Sequence, residues 1–186
     1  MAIKYREELM NLLESGYIDI ESMSTSILAQ SFEFTNERMM IVYDFVLNYI
    51  EYMSTKHFYT QNDALTTLEA HLLTDICEFP NLTVTSLANS WTRSVSATSQ
   101  TIRKLIQKDL VTRVNSKEDA KVFYLEPTEK GIQVSMAHKG YDVLDTVKTF
   151  KSLLKTLTID EIETMFKGLE AFTMLLKKAR QKTKQG

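Results

Sequence analysis

The chain has 186 residues, of which 44% are hydrophobic and 25% charged, a composition typical of a globular protein that can bury a core. No stretch approaches the roughly 18 to 20 uninterrupted apolar residues of a membrane span, and charged residues in MAIKYREELM stand where a secretory signal needs apolar ones. Cys77 is the single cysteine, so the chain can form no internal disulfide. These features exclude a disordered or membrane-spanning protein and predict a cytoplasmic one.

The charge is unevenly distributed along the chain. The whole chain has 22 basic and 24 acidic side chains, for a net charge of −2. Residues 1–80 have four basic and thirteen acidic side chains, a net charge of −9, whereas residues 81–131 have a net charge of +3 and residues 132–186 of +4. DNA would be repelled by the first segment and attracted by the other two. Random scatter of charge over solvated faces is the alternative explanation.

Helices dominate the predicted secondary structure, because only five glycines and two prolines interrupt the chain. IKYREELMNLLES has helical spacing and ends at Gly16, a second segment begins near Ser22, and NERMMIVYDFVLNYIEYMSTK follows. Apolar residues cover so much of the circumference of the last segment that several neighbours must bury it, and a second chain is one candidate. LTTLEAHLLTDICEF forms the next helix, which ends at Pro80.

After Pro80 the pattern predicts two short helices joined by a tight turn. TVTSLANSW is the first, with Leu87 and Trp91 facing inward, and Ser94 caps the second by accepting a backbone N–H from its first turn. At about 100° per residue, one stripe of the second helix faces inward. The residues on this stripe are Val95, Thr98, Ile102, Leu105 and Ile106.

The opposite face of the second helix has side chains that suit DNA. Small residues let a helix backbone approach the major groove, and Gln and Arg side chains pair with the edges of adenine and guanine. The predicted DNA contacts on this helix are Ser94, Ser96, Ala97, Ser99, Gln100, Arg103 and Lys104. An ordinary solvated helix face is the alternative.

A β-hairpin is predicted directly after the second helix. LVTRV and KVFYLEPT are rich in strand-forming residues, and NSKEDA between them is rich in turn formers. A hairpin in this position makes a winged helix, and its tip carries Lys117 and Lys121, placed to meet backbone phosphate or an adjacent minor groove. A plain surface hairpin is the alternative.

Over about residues 65 to 131, the order of these motifs resembles the MarR family of winged-helix transcription regulators. The family pattern runs from a Ser-rich recognition helix through Leu-x-x-x-Gly-Leu-Val and an Asp-x-Arg wing tip to Leu-Thr-x-x-Gly. The matching positions are Leu105, Asp109, Leu110 and Val111, then Asp119 and Lys121, then Pro127, Thr128 and Gly131. Asp109 replaces the family's Gly, Lys121 its Arg, and Pro127 its Leu. Because lysine lacks arginine's planar fork, we expect Lys121 to contact phosphate rather than reach deep into the minor groove.

Two further helices are predicted after the wing. GIQVSMAHKGYDVLDTVKTFKSLLKTL is the first, and TIDEIETMFKGLEAFTMLLKKARQK, capped by Thr158, is the second. The side chains of the second that face inward are Ile162, Met165, Phe166, Leu169, Phe172, Leu175 and Leu176. A small winged domain cannot bury both faces of such helices, and the resemblance implies that they pair with the N-terminal helices of a second subunit in a two-fold dimer. A helical bundle within one chain is the alternative.

The expected fold is mainly α-helical with a small β-hairpin wing. Residues 1–60 are expected to be N-terminal dimerisation helices with an effector cleft, residues 61–131 the winged helix-turn-helix domain, and residues 132–186 the C-terminal dimerisation helices. The resemblance implies a sequence-specific transcription regulator, a homodimeric repressor that binds double-stranded DNA at a near-palindromic operator and is released by a small molecule. A winged-helix module that binds other proteins, without specific DNA binding, is the alternative function.

The effector site is predicted only weakly. The resemblance implies that apolar or phenolic effectors bind between the dimer helices and the winged domain, which makes Tyr43, Tyr52, His57 and Trp91 candidate contacts. Core packing explains such aromatic residues equally well.

Catalytic and metal-binding motifs are not found. The sequence has no HExxH, nucleophile elbow, phosphate-binding glycine loop or CxxC pair, and no cofactor motif. His57, His71 and His138 lie far apart in the sequence, and Glu69 and His71, two residues apart, do not share a helix face. We therefore expect neither a metal site nor an enzyme.

Overall fold

The computed structural model describes residues 25–116, 119 and 122–183, which form two compact units that divide between Ser54 and Thr55. The predicted helix that ends at Gly16 and the predicted helix start near Ser22 lie outside the described residues. None of the helices in the described part of the chain combines the length and the apolar character needed to cross a lipid bilayer.

The described part of the first unit is one long helix, α1 (Thr25–Ser54). The two segments predicted here are one continuous helix, because no glycine or proline breaks it. Many of its large apolar side chains are exposed on the single chain, among them Phe32, Met40, Ile41, Tyr43, Phe45, Val46, Leu47, Tyr49 and Ile50. A row of exposed apolar side chains such as this commonly marks an interaction surface.

The second unit begins with two short antiparallel strands, β1 (Lys56–Phe58) and β2 (Ala64–Thr66). Sequence reasoning did not predict this pair, because three-residue strands are too short to show alternating polarity. Helix α2 (Thr67–Glu78) follows directly. Its start is fixed by a reciprocal cap in which the Thr66 side chain accepts from the Glu69 backbone and the Glu69 side chain accepts from the Thr66 backbone.

The remaining elements form a winged helix-turn-helix and two long helices. They are α3 (Val84–Ser90), α4 (Val95–Gln107), β3 (Val111–Asn115), β4 (Phe123–Pro127), α5 (Glu129–Leu153) and α6 (Ile159–Thr183). Strands β3 and β4 pair antiparallel, with Val111 opposite Pro127. The mainly α-helical fold with a β-hairpin wing is therefore confirmed, and so are the predicted caps, since the Ser94 and Thr158 hydroxyls accept backbone N–H groups of Ala97 and Glu161.

The core of the second unit lies where α2, α3, α4, the wing and the first half of α5 meet. The fully buried apolar side chains at its centre are Leu65, Leu72, Leu73, Ile76, Leu87, Ile102, Leu105, Leu110, Val111, Leu125 and Val134. Ile102 and Leu105 come from the predicted inner stripe of α4, and Leu87 from that of α3. These contacts fix α4 on the domain and leave its other face to solvent.

Two groups of side chains predicted to face inward are not buried within the single chain. Val95 was placed on the inner stripe of α4, but 47% of it is exposed. It is the first residue of the helix, and helical side chains lean toward the N-terminus, so Val95 extends past the end of the core. On α6, only Ile162 of the predicted stripe is buried. The other six apolar residues of that stripe are exposed on the single chain.

Candidate functional site

Helix α4 exposes a polar face to solvent, while its opposite face is packed into the core through Ile102 and Leu105. The Ser96, Gln100, Arg103 and Lys104 side chains are exposed, while Ala97 and Ser99 are half-buried. Ser94 is also exposed at the helix start, where its hydroxyl accepts the Ala97 N–H at 3.2 Å. The predicted contact residues of α4 therefore share one accessible end and face of the helix.

One of these cations has an acidic neighbour within the chain. The Lys104 Nζ lies 3.7 Å from Glu69 Oε1, and the Glu69 side chain is only 7% exposed. Glu69 also accepts the Thr66 backbone N–H at 3.0 Å, so its position is fixed by the start of α2. Part of the Lys104 charge is therefore compensated, which makes Arg103 the stronger candidate for an anion or a base on this face.

A shallow groove extends this surface onto the wing. It is lined by Arg103, Ile106 and Gln107 of α4 and by Thr112 and Arg113 of β3. Sequence reasoning missed Arg113, because a basic residue within a predicted strand gives no sign of which helix lies beside it. The predicted wing-tip residues Lys117 and Lys121 lie outside the described residues.

A second polar cluster lies between α2 and α5. His71 of α2 meets His138 and Asp142, which are one turn apart on α5, and their candidate ligand atoms all lie within 4.8 Å of one another. Asp142 Oδ2 is 3.1 Å from His138 Nε2 and 3.6 Å from His71 Nε2. The His138 side chain is buried, while those of His71 and Asp142 are about one-third exposed, at 36% and 32%. The cluster is thus closed on one side and open to solvent on the other.

A hydrogen-bond chain behind the cluster orients His138. The His138 Nδ1 lies 3.0 Å from Thr74 Oγ1, which lies 3.0 Å from Ser135 Oγ. In the tautomer with the ring proton on Nδ1, that N–H donates a hydrogen bond to Thr74 Oγ1. The lone pair of Nε2 then points into the cluster. Such support behind a histidine is usual in protein metal sites.

The cluster has the chemistry of a cation site. Burial lowers the pKa of His138. The negative charge of Asp142 raises this pKa, whereas His71 and Lys139 lower it, and the net shift is downward. The neutral imidazole, which is the metal-binding form, is therefore favoured. The buried His138 Nε2 has no hydrogen-bond partner in the described part of the chain, although Asp142 Oδ2 lies 3.1 Å from it. Two imidazole nitrogens, one carboxylate and an open side suit Zn²⁺ or a similar first-row ion.

Sequence reasoning expected no metal site and did not identify this cluster. The spacing of His138 and Asp142, four residues apart on a predicted helix, was a usable signal, because it places both on one face. His71 comes from a helix 67 positions earlier in the sequence, and only the packing of α2 against α5 brings it close.

The aromatic residues predicted as effector contacts divide between the two units. Tyr43 and Tyr52 lie exposed on α1. His57 accepts or donates a 3.1 Å hydrogen bond with the Tyr141 hydroxyl. Trp91 lies beside His71, with ring centroids 5.9 Å apart. Their contact with any effector stays a prediction.

These elements define the chain as a winged helix-turn-helix protein, and comparisons with known proteins make the class more specific. Residues 65–123 match the model of the MarR family. The transcriptional regulator AdcR of Streptococcus pyogenes serotype M6 is 27% identical over 108 residues, which are 58% of this chain and 72% of that protein. Residues 65–123 are therefore similar to the MarR family of transcription regulators, and the relative that the chain matches is itself a transcriptional regulator.

Solved structures with the same fold include two other bacterial proteins. Streptococcus pneumoniae FabT, solved in complex with DNA, has a TM-score of 0.57 at 21% identity, over 79% of this chain and 98% of that chain. Lactococcus lactis ZitR, described as a zinc-responsive MarR family member, has a TM-score of 0.57 at 19% identity, over 76% and 99% of the two chains.

Proposed function

We propose that the protein is a sequence-specific DNA-binding repressor. The observation that carries this proposal is the exposed polar face of α4, with Arg103 at its centre and the wing directly beside it. The fold shared with FabT, which was solved bound to DNA, supports the same assignment. Helix α4 would enter the major groove, and the groove residue Arg113 would meet the adjacent backbone.

The active form is proposed to be a two-fold dimer that binds a near-palindromic operator. Its support is the large apolar area that α1 and α6 leave exposed on one chain. Burying that area between two copies removes it from water and places two α4 helices on one DNA duplex.

DNA retardation tests the DNA-binding proposal. The protein should retard a fragment from beside its own gene more strongly than random DNA of equal length, and binding should weaken steeply as salt rises. A protein that is dimeric and folded but retards neither DNA is instead a winged-helix module that binds other proteins.

We further propose that a divalent metal ion, with zinc the first choice, controls DNA binding. The observation that favours it is the His71–His138–Asp142 cluster, in which the buried His138 Nε2 makes no hydrogen bond to any described residue. The zinc response stated for the similar ZitR supports the choice of ion. His71, His138 and Asp142 would hold the ion, and Thr74 would orient His138. An ion that ties α2 to α5 orders the winged domain, so we expect zinc to tighten DNA binding.

Calorimetric titration of metal-free protein tests the metal proposal. The natural chain should bind zinc, and His138→Ala should lose that binding. His57→Gln is the matched control, because it removes a neighbouring imidazole that is not in the cluster, and it should bind zinc normally. Zinc binding that survives His138→Ala would place the ion elsewhere. If zinc has no effect on DNA affinity, the apolar or phenolic effector that the family resemblance implies becomes the leading alternative.

A further inference from the structure

Trp91 joins the His71–His138–Asp142 cluster to the turn in front of α4. It is the C-cap residue of α3, and α4 begins at Val95. The indole Nε1–H donates a 2.6 Å hydrogen bond to Asp75 Oδ2, and the ring lies beside His71 with centroids 5.9 Å apart. His71 and Asp75 are one turn apart on α2, so α2 contacts the indole at two points.

The turn that follows Trp91 has little conformational freedom. The Arg93 N–H donates to the backbone carbonyl of Ala88 at 2.9 Å, and the Thr92 N–H donates to the backbone carbonyl of Asn89 at 3.1 Å. Thr92 has φ 54°, a left-handed conformation that β-branched residues rarely adopt. Such a conformation persists only where its surroundings hold it. The position of the Trp91 ring therefore bears directly on where α4 begins and how it is oriented.

His71 takes part in both sets of contacts. The same imidazole packs beside Trp91 and edge-on against the His138 ring, with the His71 and His138 centroids 4.6 Å apart. Its Nε2 faces Asp142. A cation bound by that nitrogen fixes the orientation of the ring and, with it, one of the two surfaces that hold the indole.

We propose that Trp91 is a positioning residue that transmits occupancy of the cation site to the recognition helix. This inference rests on the proposed control of DNA binding by a metal ion. With the site filled, His71 is held by the metal, Trp91 is held between His71 and Asp75, and the turn keeps α4 in one orientation. With the site empty, His71 has only its 3.6 Å contact with Asp142 and its ring packing to hold it, so it supports the indole less firmly than the Asp75 hydrogen bond does.

A thermodynamic cycle on Trp91→Phe tests the proposal. Operator dissociation constants are measured for the 186-residue protein with zinc and with a chelator, and zinc affinity is measured calorimetrically without DNA. Couplings of this kind are typically about 5- to 150-fold. Phenylalanine fills the space but cannot donate to Asp75. We expect Trp91→Phe to bind zinc with an affinity within about threefold of that of the natural chain. Zinc should then change the DNA affinity of this variant by about twofold or less.

Two variants at Asp75 separate transmission from packing. Asp75→Asn keeps a side-chain oxygen that can accept the indole proton, so it should retain most of the zinc effect on DNA affinity. Asp75→Ala should lose most of it while still binding zinc. If Trp91→Phe and Asp75→Ala both keep the full zinc effect, Trp91 transmits nothing and the proposal is overturned.

Trp91 is the single tryptophan, so its fluorescence reports on the same step without DNA. Zinc should change its emission in the natural chain and in Asp75→Asn, and much less in Asp75→Ala. Unchanged emission at saturating zinc overturns the proposal, because the indole surroundings would then be independent of the metal. A natural chain that does not bind zinc fails at the earlier calorimetric step, which identifies the metal proposal as the one at fault.

Discussion

Gly131 of α5 packs directly against the backbone carbonyl oxygen of Leu110, and a Cβ atom at position 131 would overlap that oxygen. Thr128 fixes this approach, since its backbone N–H donates to Leu110 and its hydroxyl to Asp109, at 3.1 and 2.7 Å. Gly131→Ala should therefore lower the free energy of unfolding by about 1 to 3 kcal/mol, because backbone cannot move aside as a side chain can. Urea unfolding followed by circular dichroism measures the change.

Gly140 supplies the matched control for Gly131. It lies in the same helix, but nothing lies within 4 Å of a Cβ added there. Gly140→Ala should raise stability by about 0.5 to 1 kcal/mol, because alanine loses less backbone entropy in a helix. If the two substitutions have the same effect, helix propensity rather than the contact with Leu110 controls position 131.

Asp109 occupies a position where the backbone favours glycine. It has φ 59° directly after α4, where its N–H donates to Ile106 and the Leu110 N–H donates to Leu105. Asp109→Gly should leave stability unchanged or raise it by up to about 1 kcal/mol, whereas Asp109→Ala should lower it by about 1 kcal/mol. Thermal unfolding of the two variants side by side would show the opposite signs, and equal effects would contradict a backbone origin.

The sequence predicted most of the winged domain because its signals are local. Capping hydroxyls such as Ser94 and Thr158 mark helix starts within a few residues, and the apolar stripe of α4 shows which face is buried. Val95 shows the limit of this reasoning, since periodicity places it on the stripe but does not show where the core ends. The family's Gly at position 109 follows from the left-handed φ there, which only the folded chain displays.

The His71–His138–Asp142 cluster could not be predicted as a whole because it depends on tertiary packing. His138 and Asp142 share a helix face, which their spacing reveals, but neither pattern nor charge indicates that His71 packs against them. Arg113 is similar, since its place beside Arg103 depends on how β3 runs along α4.

The ion pair between Asp63 and Lys130 should make stability depend on pH. The two side chains are 2.7 Å apart, and Asp63 is buried. Burial opposes ionisation of Asp63, but hydrogen bonds from Lys130 and Thr60 and the Lys130 charge outweigh it and hold the Asp63 pKa below its ordinary 3.8. The pair therefore stabilises the fold above pH 3.8, and its contribution disappears as the pH falls through the lower folded value.

Lys130→Met tests this assignment. The variant should be less stable at pH 7 by about 1 to 2 kcal/mol, a discounted figure because the lysine is partly solvated. The difference should shrink well below pH 3.8, where Asp63 is protonated in both proteins. Urea unfolding at pH 7 and in strong acid compares them. A deficit that is the same at both pH values would show that Lys130 acts through packing and its 3.0 Å hydrogen bond to the Lys108 carbonyl rather than through Asp63.

Removal of the Arg103 side chain and removal of the Lys121 side chain should weaken DNA binding in different ways, because the two are predicted to contact different parts of DNA. The Arg103 guanidinium, exposed on α4, can pair with both acceptors of a guanine. Arg103→Ala should cost roughly 1 to 3 kcal/mol on the operator and relax preference at one base position in each half-site, with little effect on binding to random DNA. Lys121→Ala should weaken binding to operator and random DNA alike. It should reduce the salt slope by about one unit for each phosphate that the protein no longer neutralises, or about two in a symmetric dimer.

Lys148→Ala is the charge control, because Lys148 is an exposed lysine on α5, and it should change neither DNA affinity nor the salt slope. If Arg103→Ala and Lys121→Ala leave affinity and salt dependence at the values of this control, the surface formed by α4 and the wing does not bind DNA.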